Sequence, residues 1–149
     1  MNDELHVEIA GDRDLVAARA EGRAAADSLG FSRTDATLIA TAISEVSRNI
    51  VVHAGSGEIV LRPSHDDQRC GLVVVARDSG PGIPDVEAAT GEGYATKGGL
   101  GLGLPGVRRI MDELRIDTKA GRGTTVTMVK WRERDELERL REKRNVADE

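Results

Sequence analysis

The feature that most constrains how this chain can fold is a run of alternating glycine and leucine before a short predicted helix. Gly99, Gly101 and Gly103 alternate with leucines, and Pro105 then opens a helical pattern that reaches Leu114. Glycine lets backbone N–H groups approach an anion closely, and the N-terminus of a helix adds a partial positive charge. The pattern therefore predicts a loop that cradles phosphate.

Composition limits the chain to one modest domain. The 149 residues suit a single domain. Hydrophobic residues make up 39% of the chain but aromatic residues only 2%, so the core must be built from Val, Ile, Leu and Ala. The formal net charge of −5 argues against a nucleic-acid partner, because phosphate backbones are bound by basic surfaces.

The cysteine content and the hydropathy pattern favour a cytoplasmic protein. Cys70 is the only cysteine, so no internal disulfide can form, which is usual in a reducing compartment. No apolar run approaches the roughly 20 residues that span a bilayer. The charged residues 1–8 lack the apolar stretch of a signal peptide. We therefore expect a cytoplasmic protein with no membrane partner.

Hydrophobic periodicity predicts a two-layer α+β sandwich, in which helices cover one face of a mixed, mostly antiparallel sheet. The predicted strands span 5–10, 58–62, 72–77, 115–119 and 124–131. The predicted helices span 12–29, 105–114 and a central segment from the N-cap Ser32 to about His53. A loop as long as 78–103 indicates a binding loop or lid.

We assign residues 1–131 to a single domain and residues 132–149 to a charged C-terminal extension. The extension carries Leu137 and Leu140 on one side. Asp135 and Arg139 have the i, i+4 spacing of a helical ion pair. We therefore expect a surface helix, with a docking helix for a partner as the alternative.

Glu45 and Asn49 stand four residues apart in the second predicted helix, so their side chains share one face. A carboxylate can accept a proton from an attacking hydroxyl, and an amide oxygen is a suitable ligand for Mg²⁺. The plainer alternative is a solvated helix face, because this spacing arises easily by chance.

Asp78 begins a DxGxG motif directly after a Val-rich strand, with Gly80 and Gly82 as its glycines. A carboxylate at a strand end can accept a hydrogen bond from an exocyclic amine. The glycines let the backbone turn tightly under a flat ring. The same residue types also form ordinary turns, so a strand-ending turn is the alternative.

The two other glycine motifs also have structural alternatives. The glycine-leucine run could be a linker or a strand weakened by glycine. Leu100 and Leu102 argue against a linker, because alternate side chains can be pinned in a core while the backbone faces a ligand. The sequence GRGT over 121–124 predicts a hairpin turn, after which the Thr124 hydroxyl could reach the base side of a nucleotide pocket.

In this order and spacing, the motifs resemble the Bergerat ATP-binding fold of the GHKL superfamily over residues 32–131. The resemblance implies ATP and Mg²⁺ as cofactors. It implies that Glu45 is the general base, that Asn49 holds Mg²⁺, and that Asp78, supported by Thr124, reads the adenine amine. Gly80 and Gly82 would flank the adenine. The loop residues expected to contact the nucleotide are Lys97, Gly99, Leu100, Gly101, Leu102 and Gly103. For Lys97, a solvated position is the favoured alternative.

The chain is more narrowly similar to the small serine/threonine kinases of partner-switching modules, the switch kinases of the stressosome. The stretches that carry this similarity are SEVSRNIV, DSGPGI, GYATKGGLGLGLPGVRRIMDE and GRGTTVTMVKW. Such kinases phosphorylate a STAS-domain antagonist protein on serine or threonine. The freed kinase then activates another partner, commonly a phosphatase. The resemblance implies the same activity and the same kinds of partner for this chain.

Two other functions remain open for the same fold. An anti-sigma factor would bind and sequester a sigma factor. The catalytic half of a histidine kinase would need an upstream pair of dimerisation helices with a phosphoacceptor histidine. The match over residues 104–113 favours the switch kinase over the anti-sigma factor, and we expect residues 1–30 to leave no room for the helix pair.

Overall fold

Five strands and four helices make up the part of the chain that the computed structural model describes, residues 4–82, 103–119 and 121–147. The strands are β1 (Leu5–Ile9), β2 (Gly57–His65), β3 (Arg69–Asp78), β4 (Glu113–Lys119) and β5 (Gly123–Glu133). The helices are α1 (Asp12–Ser28), α2 (Arg33–His53), α3 (Gly103–Ile110) and α4 (Glu136–Ala147). The predicted order of elements is confirmed.

The strands form one sheet in the order β1-β2-β3-β5-β4. Every pairing between the described strands is antiparallel. The two-layer α+β fold is therefore confirmed, with antiparallel neighbours throughout. The register places Thr124 of β5 opposite both Asp78 of β3 and Thr118 of β4, so the three residues lie in one row across the sheet.

The main core lies between the helices and one face of the sheet. Ile39 and Ile43 of α2 are fully buried against Ile59, Val74 and Met128 of the central strands. Among the residues that the structure describes, Phe31 is the only aromatic one in this cluster of buried side chains. The core is therefore aliphatic, as the composition requires.

The opposite face of the sheet carries a smaller buried cluster of Val60, Val73, Val75 and Val129, against which Trp131 packs. Because neighbouring strand residues point to opposite faces, the consecutive valines of β3 bury side chains on both. The Val-rich strand β3 is therefore an interior strand that is buried on both faces.

The ends of α2 are set by local chemistry that the sequence indicates. The Ser32 hydroxyl accepts a hydrogen bond from the Asp35 backbone N–H at 3.0 Å, which makes Ser32 the N-cap. At the other end, Gly55 adopts a φ of +85°, a left-handed conformation that favours glycine. Both predicted helix ends are confirmed.

The third helix is shorter than predicted. The pattern over 105–114 predicts a helix to Leu114, whereas α3 ends at Ile110 and β4 begins at Glu113. The backbone N–H of Asp112 donates to the carbonyl of Val129 at 2.9 Å, so the chain joins the sheet at this point. Pairing with β5 therefore overrides the local helical pattern.

The hairpin of β2 and β3 extends further than predicted, and the loop expected over 63–71 shrinks to residues 66–68. The Asp66 carboxylate accepts backbone N–H bonds from Gln68 and Arg69, both at 2.8 Å. These bonds lower the pKa of Asp66. One carboxylate closes the turn, which leaves Pro63 and Gly71 inside the strands.

The predicted helix in the extension is confirmed, but the predicted Asp135–Arg139 ion pair is wrong. Asp135 instead caps α4, accepting from the backbone N–H of Glu138 at 2.8 Å. Arg139 donates to the side chain of Gln68 at 3.2 Å. The backbone N–H groups at the start of α4 compete with Arg139 for the Asp135 carboxylate. Capping is favoured because it satisfies an N–H that otherwise has no partner within the helix.

Arg132 makes the ion pair that joins the extension helix to the domain. Arg132 donates to both carboxylate oxygens of Glu138, at 2.9 and 2.8 Å, and to the carbonyl of Leu29 at 2.7 Å. Leu137 and Leu140 are exposed on α4, as expected for a surface helix. No helix in the described part of the chain is long and apolar enough to cross a membrane.

Candidate functional site

A pocket opens between the C-terminal half of α2 and the adjoining ends of β3 and β5. Its polar lining consists of Asn49, His53, Asp78 and Thr124. Its apolar lining consists of Val46, Ile50, Ala76, Leu104 and Val126, and its rim of Pro81 and Gly82. An apolar floor with a few convergent polar groups is typical of a site for a small molecule.

One face of α2 supplies the polar groups on the helix side. Glu45, Asn49 and His53 follow one another at i, i+4 and i+8, so they form a row along the helix. Asn49 and His53 line the pocket, and Glu45 lies one turn before them with only 7% of its surface exposed. The sequence indicates His53 only as a helix-end residue, although its four-residue spacing from Asn49 places it on the same face as the predicted site residues.

Glu45 makes the contact that joins α2 to α3. Its Oε2 atom accepts a hydrogen bond from the backbone N–H of Gly103 at 3.0 Å. Gly103 is the first residue of α3 and has a φ of +65°. The carboxylate therefore lies at the positive end of α3. It accepts from the Gly103 N–H, although Gly103 is one of the residues predicted to contact the nucleotide.

Asp78 is oriented by its own turn. Its Oδ1 atom accepts from the backbone N–H of Gly80 at 2.9 Å. A Cβ at Gly80 would lie 2.6 Å from that of Ala54, so only glycine lets this turn approach the end of α2. Gly82 has a φ of +83° and lies against the carbonyl of Lys119. The glycines thus fit the turn to its neighbours, and their contact with a flat ring stays a prediction.

Thr124 belongs to a polar row at the edge of the pocket. Its hydroxyl lies 3.1 Å from the hydroxyl of Thr118, which also donates to the carbonyl of Gly123 at 3.3 Å. Gly123 has a φ of +98°, and a Cβ there would lie 2.1 Å from the carbonyl oxygen of Asp78. Thr118 was not predicted, because the predicted strands 115–119 and 124–131 would place it opposite Thr125, whereas the observed register pairs it with Thr124.

Several predicted site residues cannot be compared with this geometry. Lys97, Gly99, Leu100, Gly101 and Leu102 lie outside the described residues. Of the predicted residues that are described, Asn49, Asp78, Gly82 and Thr124 line the pocket. Glu45 and Gly103 bond each other beside it, and Gly80 shapes the turn that carries Asp78.

Asn49 offers the pocket an amide oxygen, a hard donor of the kind that Mg²⁺ accepts. Within residues 4–82, 103–119 and 121–147, no group of three or more His, Cys, Asp or Glu side chains could hold a metal ion. Mg²⁺ does not need such a group, because it commonly takes one or two protein oxygens together with phosphate oxygens and water. A single amide oxygen in a polar pocket fits that mode of binding.

Comparisons with known sequences agree with this geometry. The sequence profile of the histidine kinase-like ATPase domain matches residues 10–130. The chain is 47% identical over 131 residues to the serine/threonine-protein kinase RsbT of Bacillus subtilis (strain 168), covering 88% of this chain and 98% of that protein. It is 33% identical over 101 residues to an anti-sigma F factor of Bacillus licheniformis, covering 63% and 68%.

Solved structures show the same fold at low sequence identity. The RsbU and RsbW domains of a Mycobacterium tuberculosis protein match with a TM-score of 0.57 and 22% identity, over 85% of this chain and 31% of that longer chain. The mycobacterial sensor histidine kinase MprB matches with a TM-score of 0.50 and 19% identity, over 90% and 99%. These matches concern the fold alone.

Proposed function

This chain belongs to the histidine kinase-like ATPase family, and from that premise we propose that it transfers a phosphoryl group from ATP to a serine or threonine of a partner protein. The similarity to a serine/threonine-protein kinase is longer and closer than that to the anti-sigma factor just described. Kinase activity is therefore favoured over sequestration of a sigma factor.

One geometric observation carries the proposal at the level of the site. Asn49, Asp78 and Thr124 line the same pocket, and Glu45 lies one helical turn from it. The apolar side chains between them suit the faces of a flat base. We assign the exocyclic amine of adenine to the Asp78 carboxylate, because that carboxylate stands at the edge of the pocket and is already oriented by Gly80.

The phosphate end of the nucleotide would lie toward α3. We assign Mg²⁺ to the amide oxygen of Asn49, with its other ligands from phosphate and water. When bound, the cation neutralises charge that develops on the phosphate oxygens during transfer. The family membership supports the use of ATP, and the choice of Mg²⁺ follows from the hard oxygen donor that Asn49 offers.

Glu45 is our candidate for the general base. A carboxylate that accepts one N–H bond keeps lone pairs with which it can accept the proton of a serine or threonine hydroxyl. Its near-complete burial and its bond to Gly103 fix its position relative to α3. Transfer then depends mainly on holding the hydroxyl, the carboxylate and the phosphate in line.

The partners follow from the resemblance of the motifs to switch kinases. We propose a STAS-domain antagonist protein as the substrate and a phosphatase as the downstream partner. We further propose that residues 1–131 are the catalytic domain, that residues 132–149 are an appended extension, and that the protein acts in the cytoplasm.

The test is phosphate incorporation from labelled ATP into a STAS-domain protein. Glu45→Gln should lower the rate by about 100-fold or more, since general-base catalysis typically contributes 10²–10⁴-fold. Asn49→Ala should also lower the rate, because it removes the oxygen assigned to Mg²⁺. Glu21→Gln is the matched control, because Glu21 is an exposed acid on α1 and should leave the rate unchanged. Equal rates for all variants would refute the assigned roles.

The alternative function has its own outcome in the same experiment. A chain that transfers no phosphate but captures a sigma factor in the presence of nucleotide would be an anti-sigma factor. Asp78→Asn should weaken ATP binding under either function, because the carboxylate is assigned to the base and not to the transfer step. Unchanged ATP binding in this variant would overturn the assignment of the pocket.

A further inference from the structure

The C-terminal end of α3 is fastened to β5 by three neighbouring residues. The ammonium of Lys130 donates to the carbonyl of Ile110 at 2.8 Å. The backbone N–H of Asp112 donates to the carbonyl of Val129 at 2.9 Å, and that of Trp131 donates to Oδ2 of Asp112 at 2.7 Å. The end of the helix is therefore tied directly to β5, an interior strand of the sheet.

Lys130 makes the charged contact in this junction. Its side chain is only 15% exposed, and its ammonium lies 3.9 Å from Oδ1 of Asp112. The last carbonyls of a helix lack partners within the helix and carry a partial negative charge. A cation held there supplies a hydrogen bond and a favourable interaction with the helix dipole. Lys130 does not line the pocket, so it acts at a distance from it.

The opposite end of α3 bonds Glu45 through the N–H of Gly103. The helix has eight residues, which corresponds to a length of about 12 Å. A helix of this length is not stable alone in water, so contacts with the rest of the fold set its orientation. Leu104 and Val107 bury one face, while Glu45 and Lys130 hold the two ends.

We propose that Lys130 is a positioning residue for phosphate binding. By fixing the C-terminal end of α3, it keeps the N–H groups at the N-terminal end aimed at the phosphate side of the pocket. The inference rests on the proposed function, since it assumes that a nucleotide binds with its phosphates toward α3. Lys130 itself contacts neither the nucleotide nor the transferred group.

The test compares two probes that differ only in their phosphates. Calorimetry with Mg²⁺ measures the affinity of the full chain for ATP and for adenosine. Lys130→Met should weaken ATP binding by about tenfold, the range of a partly buried charge at a helix C-terminus. Adenosine binding should change by less than about twofold, because adenosine contacts α3 only through Leu104 of the pocket lining and has no phosphate for the N–H groups at the start of α3 to bind. Lys130→Arg keeps the cation and should restore most of the ATP affinity.

Two controls separate positioning from loss of structure. Arg115→Met removes a cation from the exposed face of β4, where Arg115 pairs with Asp117, and should alter neither affinity. The thermal midpoint of each variant shows how much folded protein remains. A role confined to stability would lower the midpoint of Lys130→Met without changing the ratio of ATP affinity to adenosine affinity.

The outcomes are distinct. A selective loss of ATP affinity in Lys130→Met, rescued by Lys130→Arg, supports the inference. If the wild type binds ATP but Lys130→Met loses affinity equally for ATP and adenosine, or loses affinity for neither, the inference is overturned. If the wild type binds neither probe, the proposed function fails and the inference fails with it.

Discussion

In the proposed mechanism, Glu45 has two tasks that compete for its carboxylate: the bond to Gly103 and the transfer of a proton. Its carboxylate holds the N–H of Gly103 at the start of α3, where a phosphate group would also be attracted. The N–H of Gly103 can satisfy the carboxylate or a phosphate, and binding of phosphate there would release the carboxylate for proton transfer. Replacing Glu45 should therefore affect catalysis far more than ATP binding.

Ser47 is a buried residue whose hydroxyl has no apparent use in the fold. It is fully buried in α2, and its Oγ atom has no hydrogen-bond partner in the described part of the chain. Burial of an unpaired polar atom costs free energy, and alanine is the better helix former. We expect Ser47→Ala to raise the free energy of unfolding by about 1 kcal/mol.

Urea denaturation measures this change in stability. Ser44→Ala, at a half-buried position of the same helix, is the control for helix propensity and should gain only a few tenths of a kcal/mol. A clear loss of stability in Ser47→Ala would mean that the hydroxyl makes a bond that the structure does not show.

At the scale of elements, strands β3 and β5 pair closely where Gly71 lies beneath the ring of Trp131. Gly71 lies opposite Trp131, and a Cβ at Gly71 would lie 2.5 Å from the ring. The guanidinium of Arg69 stacks on the same ring, 3.8 Å from its centroid. The ring thus covers the backbone of Gly71 and screens this end of the sheet from water.

We expect Gly71→Ala to push the ring away from the sheet. Overpacking of this kind typically costs about 1–3 kcal/mol. Because Trp131 is the only tryptophan, its fluorescence reports on this site alone, and the emission should shift to longer wavelength. Gly11→Ala is the control, since a Cβ at Gly11 would meet nothing within 4 Å. An unshifted emission in Gly71→Ala would contradict the stacked arrangement.

Across the whole molecule, two surface clusters give stability opposite dependences on pH. The Arg132 guanidinium lowers the pKa of Glu138 from its usual 4.5 to about 2. Hydrogen bonds to Glu58 and Glu4 raise the pKa of His6 above its usual 6.5. Glu138 therefore stabilises the fold above pH 4.5 and stops doing so toward pH 2. His6 stabilises it below pH 6.5, and this contribution is lost as pH rises through the raised pKa.

The Glu138 contribution can be isolated by comparison with Glu138→Gln. At pH 7 the variant should be less stable by about 1 kcal/mol, because it loses a charge-assisted pair that is partly exposed. The difference should stay constant down to about pH 4.5 and shrink toward pH 2, where the wild-type carboxylate takes up its proton. Urea denaturation at several pH values measures this difference in the free energy of unfolding; urea is uncharged and does not screen the ion pair. A difference that does not change with pH would exclude the ion pair as its source.

The sequence predicts most of the fold and part of the site. Periodicity over α2 and the run of valines in β3 predict buried elements, because side-chain spacing is a local property. Asn49 and Asp78 are likewise predicted from local motifs and line one pocket. The end of α3, the length of the β2–β3 hairpin and the partner of Asp135 are not predicted, since each depends on competition with a distant or neighbouring group.

Three features can be predicted without the structure: the order of elements, the aliphatic core and the four-residue spacing along α2. They follow from composition and from the geometry of a single helix or strand. Three contacts are seen only in the folded protein: Glu45 with Gly103, Thr118 with Thr124, and Lys130 with the end of α3. Those contacts join residues from separate elements. Their formation depends on how the elements pack, which no local pattern specifies.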